Sequence, residues 1–137
     1  MLNLKEELAK ITKKFMLFDA DIKKRSFIVL FINARNKEEA DAILKKLLSS
    51  DHTATKTSIN NLAASGATNI GDAINIASNE LISVRANPTA AKVEILLTDG
   101  KANKPNGPGF GEWPADVAYA EAKAAEAASK GIKIFTI

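Results

Sequence analysis

Apolar residues recur along this chain either at helical spacing or as short unbroken runs, and the two patterns alternate. The helical pattern covers residues 3–14, 36–47, 54–63, 70–85 and 115–129, and the runs cover residues 26–32, 92–97 and 132–137. Strands that alternate with helices form parallel sheets covered by helices. We therefore expect a single α/β domain over residues 1–137, a three-layer sandwich with a mostly parallel sheet.

The first 48 residues allow two arrangements. Residues 15–19 (FMLFD) and 26–32 (SFIVLFI) are apolar runs separated by a short polar stretch. Either the two runs form a hairpin, or the first run completes the helix at 3–14 and only one strand follows. The sequence favours neither arrangement over the other.

Capping residues set the expected ends of the later helices. Asn87-Pro88 closes the segment after helix 70–85, and Pro114 and Gly131 suit the start and the C′ position of helix 115–129. Residues 49–53 (SSDHT) indicate a break, which places His52 in a surface loop. The buried face of helix 70–85 is expected to comprise Ile70, Ile74, Ala77 and Leu81.

A long irregular loop follows the strand at 92–97. Residues 101–114 hold three of the four prolines and three of the seven glycines, and long loops of this kind are usually functional. Ligands of parallel α/β sheets bind at the C-terminal ends of the strands, where this loop begins. Phe110 and Trp113 in the loop either fold back over the sheet edge or form a hot spot for a partner.

Composition excludes several kinds of chemistry. The chain has no cysteine and one histidine, so thiolate catalysis, cysteine-based zinc sites and multi-histidine metal sites are excluded. Residues 1–48 carry 11 basic and 7 acidic residues, a net charge of +4, and the other residues sum to −1. We assign the lysines of residues 1–48 to solvent faces of helices and expect no nucleic-acid partner.

No apolar run approaches the ~20 residues of a membrane span, and the N-terminus does not indicate a secretory signal. The cellular location stays open.

Two segments carry candidate binding chemistry: residues 66–74 (GATNIGDAI) and residues 95–100 (ILLTDG). The first places the Thr68 hydroxyl at a helix start, and the second places the Asp99 carboxylate at a strand end. Such oxygen ligands suit Mg²⁺ or Mn²⁺. A purely structural interpretation has Thr68 and Asn69 capping the helix, Asp72 favourable in its first turn and Asp99 in a turn.

In this order and spacing, the two segments resemble the corresponding motifs of a von Willebrand factor type A domain. The tail at residues 124–137 (AAEAASKGIKIFTI) resembles that family's helix and following strand. The resemblance covers roughly residues 48–137. It implies a Rossmann-like α/β fold and a non-enzymatic binding or adhesion module.

The resemblance also implies a metal-ion-dependent adhesion site with ligands from three loops. Thr68 matches the second-loop threonine, which can bind the metal directly, and Asp99 matches the third-loop aspartate, which usually acts through water. An acidic group of a partner protein often completes the coordination. The implied cofactor is Mg²⁺ or Mn²⁺, and the implied partner is a protein with an acidic group.

The first loop of that family, Asp-x-Ser-x-Ser, does not occur in this chain. The nearest string keeps Asp19, replaces one serine with Asp21 and has Lys23 at the other. Charged lysine cannot bind a metal, and Mg²⁺ keeps its waters unless several oxygens are preorganised. We therefore expect a degenerate site with weak or absent metal affinity. Glu112 and Asp116 are further candidate carboxylates whose geometry the sequence does not fix.

Three further expectations follow from the chain. Residues 1–48 have the regularity of a designed or grafted segment, so a chimeric or engineered scaffold with no natural ligand is the alternative function. Enzyme activity is not expected, because no nucleophile elbow or P-loop is present. The strand at 132–137, if it lies at a sheet edge, is a surface for pairing with a second copy of the chain.

Overall fold

A computed structural model describes residues 47–48, 51–61, 67–98 and 101–136. Three helices and two strands occur there. The helices are α1 (His52–Asn60), α2 (Ile70–Leu81) and α3 (Pro114–Ser129), and the strands are β1 (Val93–Leu96) and β2 (Lys133–Thr136). The predicted helices at 3–14 and 36–47, apart from Leu47, lie outside the described residues, as do the predicted strand at 26–32 and Asp19, Asp21 and Asp99. No helix of the described segments is long and apolar enough to cross a membrane.

The two strands pair in parallel, as predicted. Val93 is opposite Lys133 and Leu96 is opposite Thr136, so the four residues of each strand are in register. Parallel neighbours require a crossover connection. The loop at 101–113 followed by α3 supplies it, which makes the described C-terminal part of the chain a β–loop–α–β unit.

The apolar core lies between α2, α3 and the strands. Its fully buried members come from α2, the end of α3 and the residue before β2: Ile74, Leu81, Ala127 and Ile132. Partly buried residues pack around them: Ile70, Leu96, Ala124 and Ile134. The predicted buried face of α2 is confirmed, with Ala77 also buried and Ile70 at its margin. Alanine on α3 allows that helix to approach α2 closely.

The start of α1 differs from the prediction. His52 is the first residue of a helix and not a loop residue. The cause is Asp51, whose Oδ1 accepts a hydrogen bond from the backbone N–H of Ala54 at 2.9 Å. This is the bond that an N-cap side chain makes. The SSDHT string therefore contains a helix start, which the interpretation as a break overlooked.

Helix α2 ends at Leu81, four residues before the predicted end at 85. Ser83 competes for the backbone there: its Oγ accepts from the N–H of Arg85, and its carbonyl accepts from the N–H of Ala86. Val84 is fully exposed, so an additional helical turn would bury no apolar surface. Local hydrogen bonds therefore end the helix before Pro88 is reached.

The C-terminus of α3 is confirmed as predicted. Gly131 has φ +73°, which an L side chain rarely adopts. The N–H of Gly131 donates to the carbonyl of Ala128, and the N–H of Ile132 donates to the carbonyl of Ala127. This pair of bonds is a Schellman motif. It turns the chain directly from α3 into β2, with Ile132 buried in the core.

One carboxyl is buried between β1 and α2. The Glu94 side chain accepts a hydrogen bond of 2.6 Å from the Ser78 hydroxyl. Burial raises the pKa of Glu94 above its ordinary value, and the Ser78 hydrogen bond opposes this rise. The native protein therefore keeps the Glu94 proton at pH values where the unfolded chain has released it.

This difference in pKa between the folded and the unfolded chain predicts that the free energy of unfolding depends on pH. The stability contributed by Glu94 is present below the pKa of the unfolded chain and is lost as pH rises through the folded-state pKa. Glu94→Gln removes the titration while retaining an acceptor for Ser78. In urea unfolding between about pH 4 and pH 7, the variant should gain stability relative to the wild type as pH rises.

Glu126→Gln is the matched control with the opposite sign. Hydrogen bonds from Lys130 and Lys123 lower the pKa of Glu126 to about 2. Its stabilising contribution is present above the pKa of the unfolded chain and is lost as pH falls through the folded-state pKa. A pH-independent difference between Glu94→Gln and the wild type would contradict the assignment of a buried, protonated Glu94.

Candidate functional site

Thr68 lies in the short loop that leads into α2. Asn69 is the N-cap of this helix and is fully buried; its Oδ1 accepts from the N–H of Asp72 at 3.1 Å. Asp72 lies in the first turn, where a carboxylate is favourable to the helix dipole. The predicted capping role is confirmed for Asn69 but not for Thr68, and the predicted first-turn position of Asp72 is confirmed. Thr68, which precedes the N-cap, is half-buried.

A pair of hydrogen bonds joins Thr68 to the long loop that follows β1. The N–H of Thr68 donates to Oδ1 of Asn103 at 2.8 Å, and the N–H of Asn103 donates to the carbonyl of Thr68 at 3.1 Å. Asn103 is itself buried, and its Nδ2 donates to the carbonyl of Gly111. The loop at 67–69 and the loop at 101–113 are therefore held together as one surface.

The Asp116 carboxylate, on the first turn of α3, binds the loop at 101–113 from the side of the helix. It is fully buried and accepts three hydrogen bonds of 2.8 Å each. The donors are the backbone N–H and Nδ2 of Asn106, and the backbone N–H of Gly107. These contacts occupy the carboxylate, so Asp116 supports the loop and is not available as a metal ligand. Glu112 is exposed and lies 3.9 Å from Lys101.

Close packing of Trp113 and Gly107 fixes the base of the loop. A Cβ at Gly107 would lie 2.6 Å from the carbonyl oxygen of Asn103 and 2.8 Å from Cβ of Trp113. The N–H of Trp113 donates to the carbonyl of Ala102 at 2.9 Å, and its carbonyl accepts from the N–H of Asp116. Trp113 is 43% exposed, so its ring is partly packed and partly accessible.

Tyr119 of α3 braces the start of α2. Its hydroxyl donates to Oδ1 of Asp72 at 2.6 Å, while Nδ2 of Asn69 donates to the other oxygen of Asp72. The hydrogen bond to Asp72 raises the pKa of Tyr119 to about 12, so the phenol remains a donor across the physiological range. Gly71 permits the contact, because a Cβ there would overlap Cδ1 of the Tyr119 ring.

Phe110 is displayed at the tip of the loop. Its side chain is 70% exposed, so it does not fold back over the sheet edge. Gly109 beside it closely approaches the segment at 67–69: a Cβ there would lie 3.2 Å from Cβ of Ala67. The aromatic tip is therefore next to the segment that carries Thr68.

The side-chain oxygens near residues 67–69 and 101–113 are not equally available to bind a metal ion. Both oxygens of Asp72 accept hydrogen bonds from side chains, and Asp116 is committed to the loop backbone. Of the predicted ligands among the described residues, Thr68 and the exposed Glu112 are left, since Asp99 lies outside them. In that part of the chain, no group of three or more His, Cys, Asp or Glu side chains could hold a metal ion.

Sequence reasoning did not predict Asn103 or Tyr119 as parts of this surface, and it named Asp116 only as a candidate metal carboxylate. Asn103, Asp116 and Tyr119 have no motif of their own. A signal existed for Asp116, because it lies two residues after Pro114 in the first turn of a helix, next to a loop rich in backbone donors. Asn103 and Tyr119 act through contacts distant in sequence, which no local pattern reveals.

Comparison with known families gives a decisive match. A sequence model of the von Willebrand factor type A domain matches residues 6–137. The chain belongs to the von Willebrand factor type A domain family. The match begins 42 residues before the segment on which the resemblance rested, so it also spans Asp19 and Asp21. No curated protein gave a significant match, and no solved structure did so either.

Membership gives the described elements their context. A von Willebrand A domain has a Rossmann-like α/β fold, and the parallel β1–α3–β2 unit agrees with it. Domains of this family commonly mediate protein–protein interactions and often bind a divalent metal. The surface formed by residues 67–69 and 101–113 lies beyond the C-terminal end of β1, where parallel sheets bind ligands.

The contact between Gly71 and Tyr119 predicts the effect of a small substitution. Gly71→Ala should lower the free energy of unfolding by about 1–3 kcal/mol through overpacking, although alanine is ordinarily better in a helix by ~1 kcal/mol. Asn79→Ala, at an exposed position of the same helix, should change stability by less than about 0.5 kcal/mol. Urea unfolding measures both. If Gly71→Ala is stabilising, Tyr119 does not occupy this position.

Asp116 provides a second prediction at the site. Asp116→Asn places an N–H₂ group where an oxygen accepts from the loop, so a buried donor is left unpaired. The expected loss of stability is about 1–3 kcal/mol. Trp113 is the single tryptophan of the chain, so its emission should shift to the red as the loop opens.

Glu121→Gln on the exposed face of α3 is the matched control and should change neither quantity. Unaltered stability together with unaltered Trp113 emission in Asp116→Asn would show that the loop does not depend on this carboxylate.

Proposed function

We propose that this A domain is a non-enzymatic protein-binding module. Its binding surface is the edge formed by residues 67–69 and 101–113, with a degenerate metal-ion-dependent adhesion site at Thr68 and Asp99. The observation that carries the proposal is the mutual hydrogen bonding of Thr68 and Asn103. It fixes a candidate ligand residue against the loop that begins just after Asp99.

The proposed metal site has few protein ligands. Thr68 offers one neutral hydroxyl oxygen, and Asp99 lies three residues beyond the end of β1. The carboxylates of Asp72 and Asp116 are occupied by hydrogen bonds. Mg²⁺ or Mn²⁺ would retain most of its waters at such a site. The expected affinity is weak, with a partner's acidic group strengthening it.

The described residues have distinct roles in this function. Asn103 orients the Thr68 backbone, Asp116 fixes the loop, and Tyr119 and Asn69 each donate a hydrogen bond to Asp72. A bound divalent cation supplies positive charge for an incoming carboxylate. We assign these groups to positioning the two segments of the binding surface.

Calorimetric titration with Mn²⁺ and Mg²⁺ tests the proposal. We expect saturable binding with a Kd in the upper micromolar to millimolar range, lost in both Thr68→Ala and Asp99→Ala. Thr57→Ala is the matched control, because Thr57 is exposed on α1 and its hydroxyl donates to its own helix. It should bind metal like the wild type.

Two results would contradict the proposed site. Binding that survives both substitutions would place the metal elsewhere in the chain. An absence of heat up to millimolar metal, on a cooperatively folded protein, would favour the alternative of an engineered or chimeric scaffold in which the motif is only structural. The homodimer through the strand at 132–137 stays a separate prediction, which sedimentation at high concentration checks.

A further inference from the structure

The loop at 101–113 contains the single Asn-Gly pair of the chain, Asn106-Gly107. Asparagine is most prone to spontaneous deamidation before glycine, because glycine has no Cβ to hinder attack of its backbone nitrogen on the asparagine side chain. Asn106 is exposed to solvent, whereas Gly107 is buried. The rate of the reaction therefore depends on how the loop holds the Gly107 nitrogen.

The closed loop needs both members of this pair. A Cβ at Gly107 would lie 2.6 Å from the carbonyl oxygen of Asn103, so a larger residue does not fit there. Nδ2 of Asn106 donates to Oδ1 of Asp116 at 2.8 Å, a bond that an ionised aspartate at position 106 could not make. Packing and hydrogen bonding thus bring a chemically labile pair into the loop.

Asp116 also binds the nitrogen that would react. The backbone N–H of Gly107 donates to Oδ2 of Asp116 at 2.8 Å, and this hydrogen bond is buried. Attack on Asn106 requires the nitrogen to lose its proton, and the adjacent carboxylate disfavours a second negative charge at that place. The closed loop therefore slows deamidation, and opening of the loop permits it.

The reaction on the open loop is intramolecular and uses water as its co-reactant. The Gly107 nitrogen gives its proton to solvent and forms a bond to Cγ of Asn106. The bond between Cγ and Nδ2 then breaks, and Nδ2 takes up a proton from solvent and leaves as ammonia. Water opens the resulting succinimide at either carbonyl, which leaves aspartate or isoaspartate at position 106. Each product has a carboxylate in place of the amide.

We propose that Asn106 is a self-modification site, that Asp116 protects it in the closed loop, and that its deamidation keeps the loop open. The new carboxylate would lie where Nδ2 now donates to the fully buried Asp116, so two negative charges would meet away from water. Because Asn103 joins the loop to Thr68, the modification also loosens the segment at 67–69. The inference concerns the loop itself and holds whether or not this edge binds a metal.

Peptide mapping by mass spectrometry tests the protection by Asp116. Wild type and Asp116→Asn are kept folded in mildly alkaline buffer, and trypsin then releases residues 102–123 and 86–92. We expect Asn106 to convert about tenfold faster in Asp116→Asn, because loss of a buried acceptor raises the population of the open loop. Glu121→Gln is the matched control and should react at the wild-type rate.

Two other asparagines in these peptides are internal references. Asn103 precedes a lysine, and Asn87 precedes a proline, which has no N–H to lose. Both should convert more slowly than Asn106. An equal rate for Asn106 in wild type and in folded Asp116→Asn would overturn the protection.

Urea provides the same test without a variant. Asn106 of the wild type should convert at least about tenfold faster when the chain is unfolded than when it is folded. Equal rates in the two states would overturn the protection as well.

The effect of the product on the loop is measured on the wild type itself. Ion exchange separates the chains that have gained a negative charge, and their Trp113 emission should lie to the red of that of the intact chains. Asn106→Asp should reproduce this shift. Asn87→Asp is the matched control, because it adds the same charge at an exposed turn where Oδ1 of Asn87 only accepts hydrogen bonds.

Two results would overturn the proposed effect on the loop. One is identical Trp113 emission from the deamidated and the intact chains. The other is an equal effect of Asn106→Asp and Asn87→Asp on that emission.

Discussion

The Asp116 carboxylate accepts three hydrogen bonds from the loop after β1, and the position of that loop depends on them. A buried carboxylate is unfavourable unless donors surround it, and here the loop backbone supplies most of them. The loop gains a fixed shape, and the helix gains a negative charge in its first turn. Through Asn103, the same shape reaches the Thr68 segment. One buried side chain thus supports both the loop at 101–113 and the segment at 67–69.

The described structure combines a small apolar core with a network of polar side chains at the start of α2. Ile74, Leu81 and Ile132 bury aliphatic surface, and the alanines of α3 permit close approach of the helices. In this network, Asn69 and Tyr119 hold α2 and α3 together through hydrogen bonds to Asp72. No buried side-chain nitrogen or oxygen of the described residues lacks a partner. Such networks specify one geometry because a misplaced member leaves another unsatisfied.

Local sequence patterns predicted the elements whose causes are local. The face of α2, the glycine at 131 and the two strands follow from periodicity and capping, and all were confirmed. The end of α2 and the start of α1 were misplaced, because Ser83 and Asp51 act through short-range hydrogen bonds that periodicity does not register. The family followed from the motifs around Thr68 and Asp99. The contacts that fix Thr68 could not be predicted from these motifs, since Asn103 lies 35 residues away from Thr68 in the chain.

The Schellman turn at Gly131 has a consequence for how this domain tolerates change. Helix α3 holds the loop at its first turn and enters β2 directly after its last, with no linker to absorb a displacement. Its 16 residues span about 24 Å, and one added residue would rotate one end by roughly 100° against the other. The length of α3 is therefore fixed from both ends. A change in the length of α3 would therefore have to be matched by a rearrangement of the loop or of the turn at Gly131.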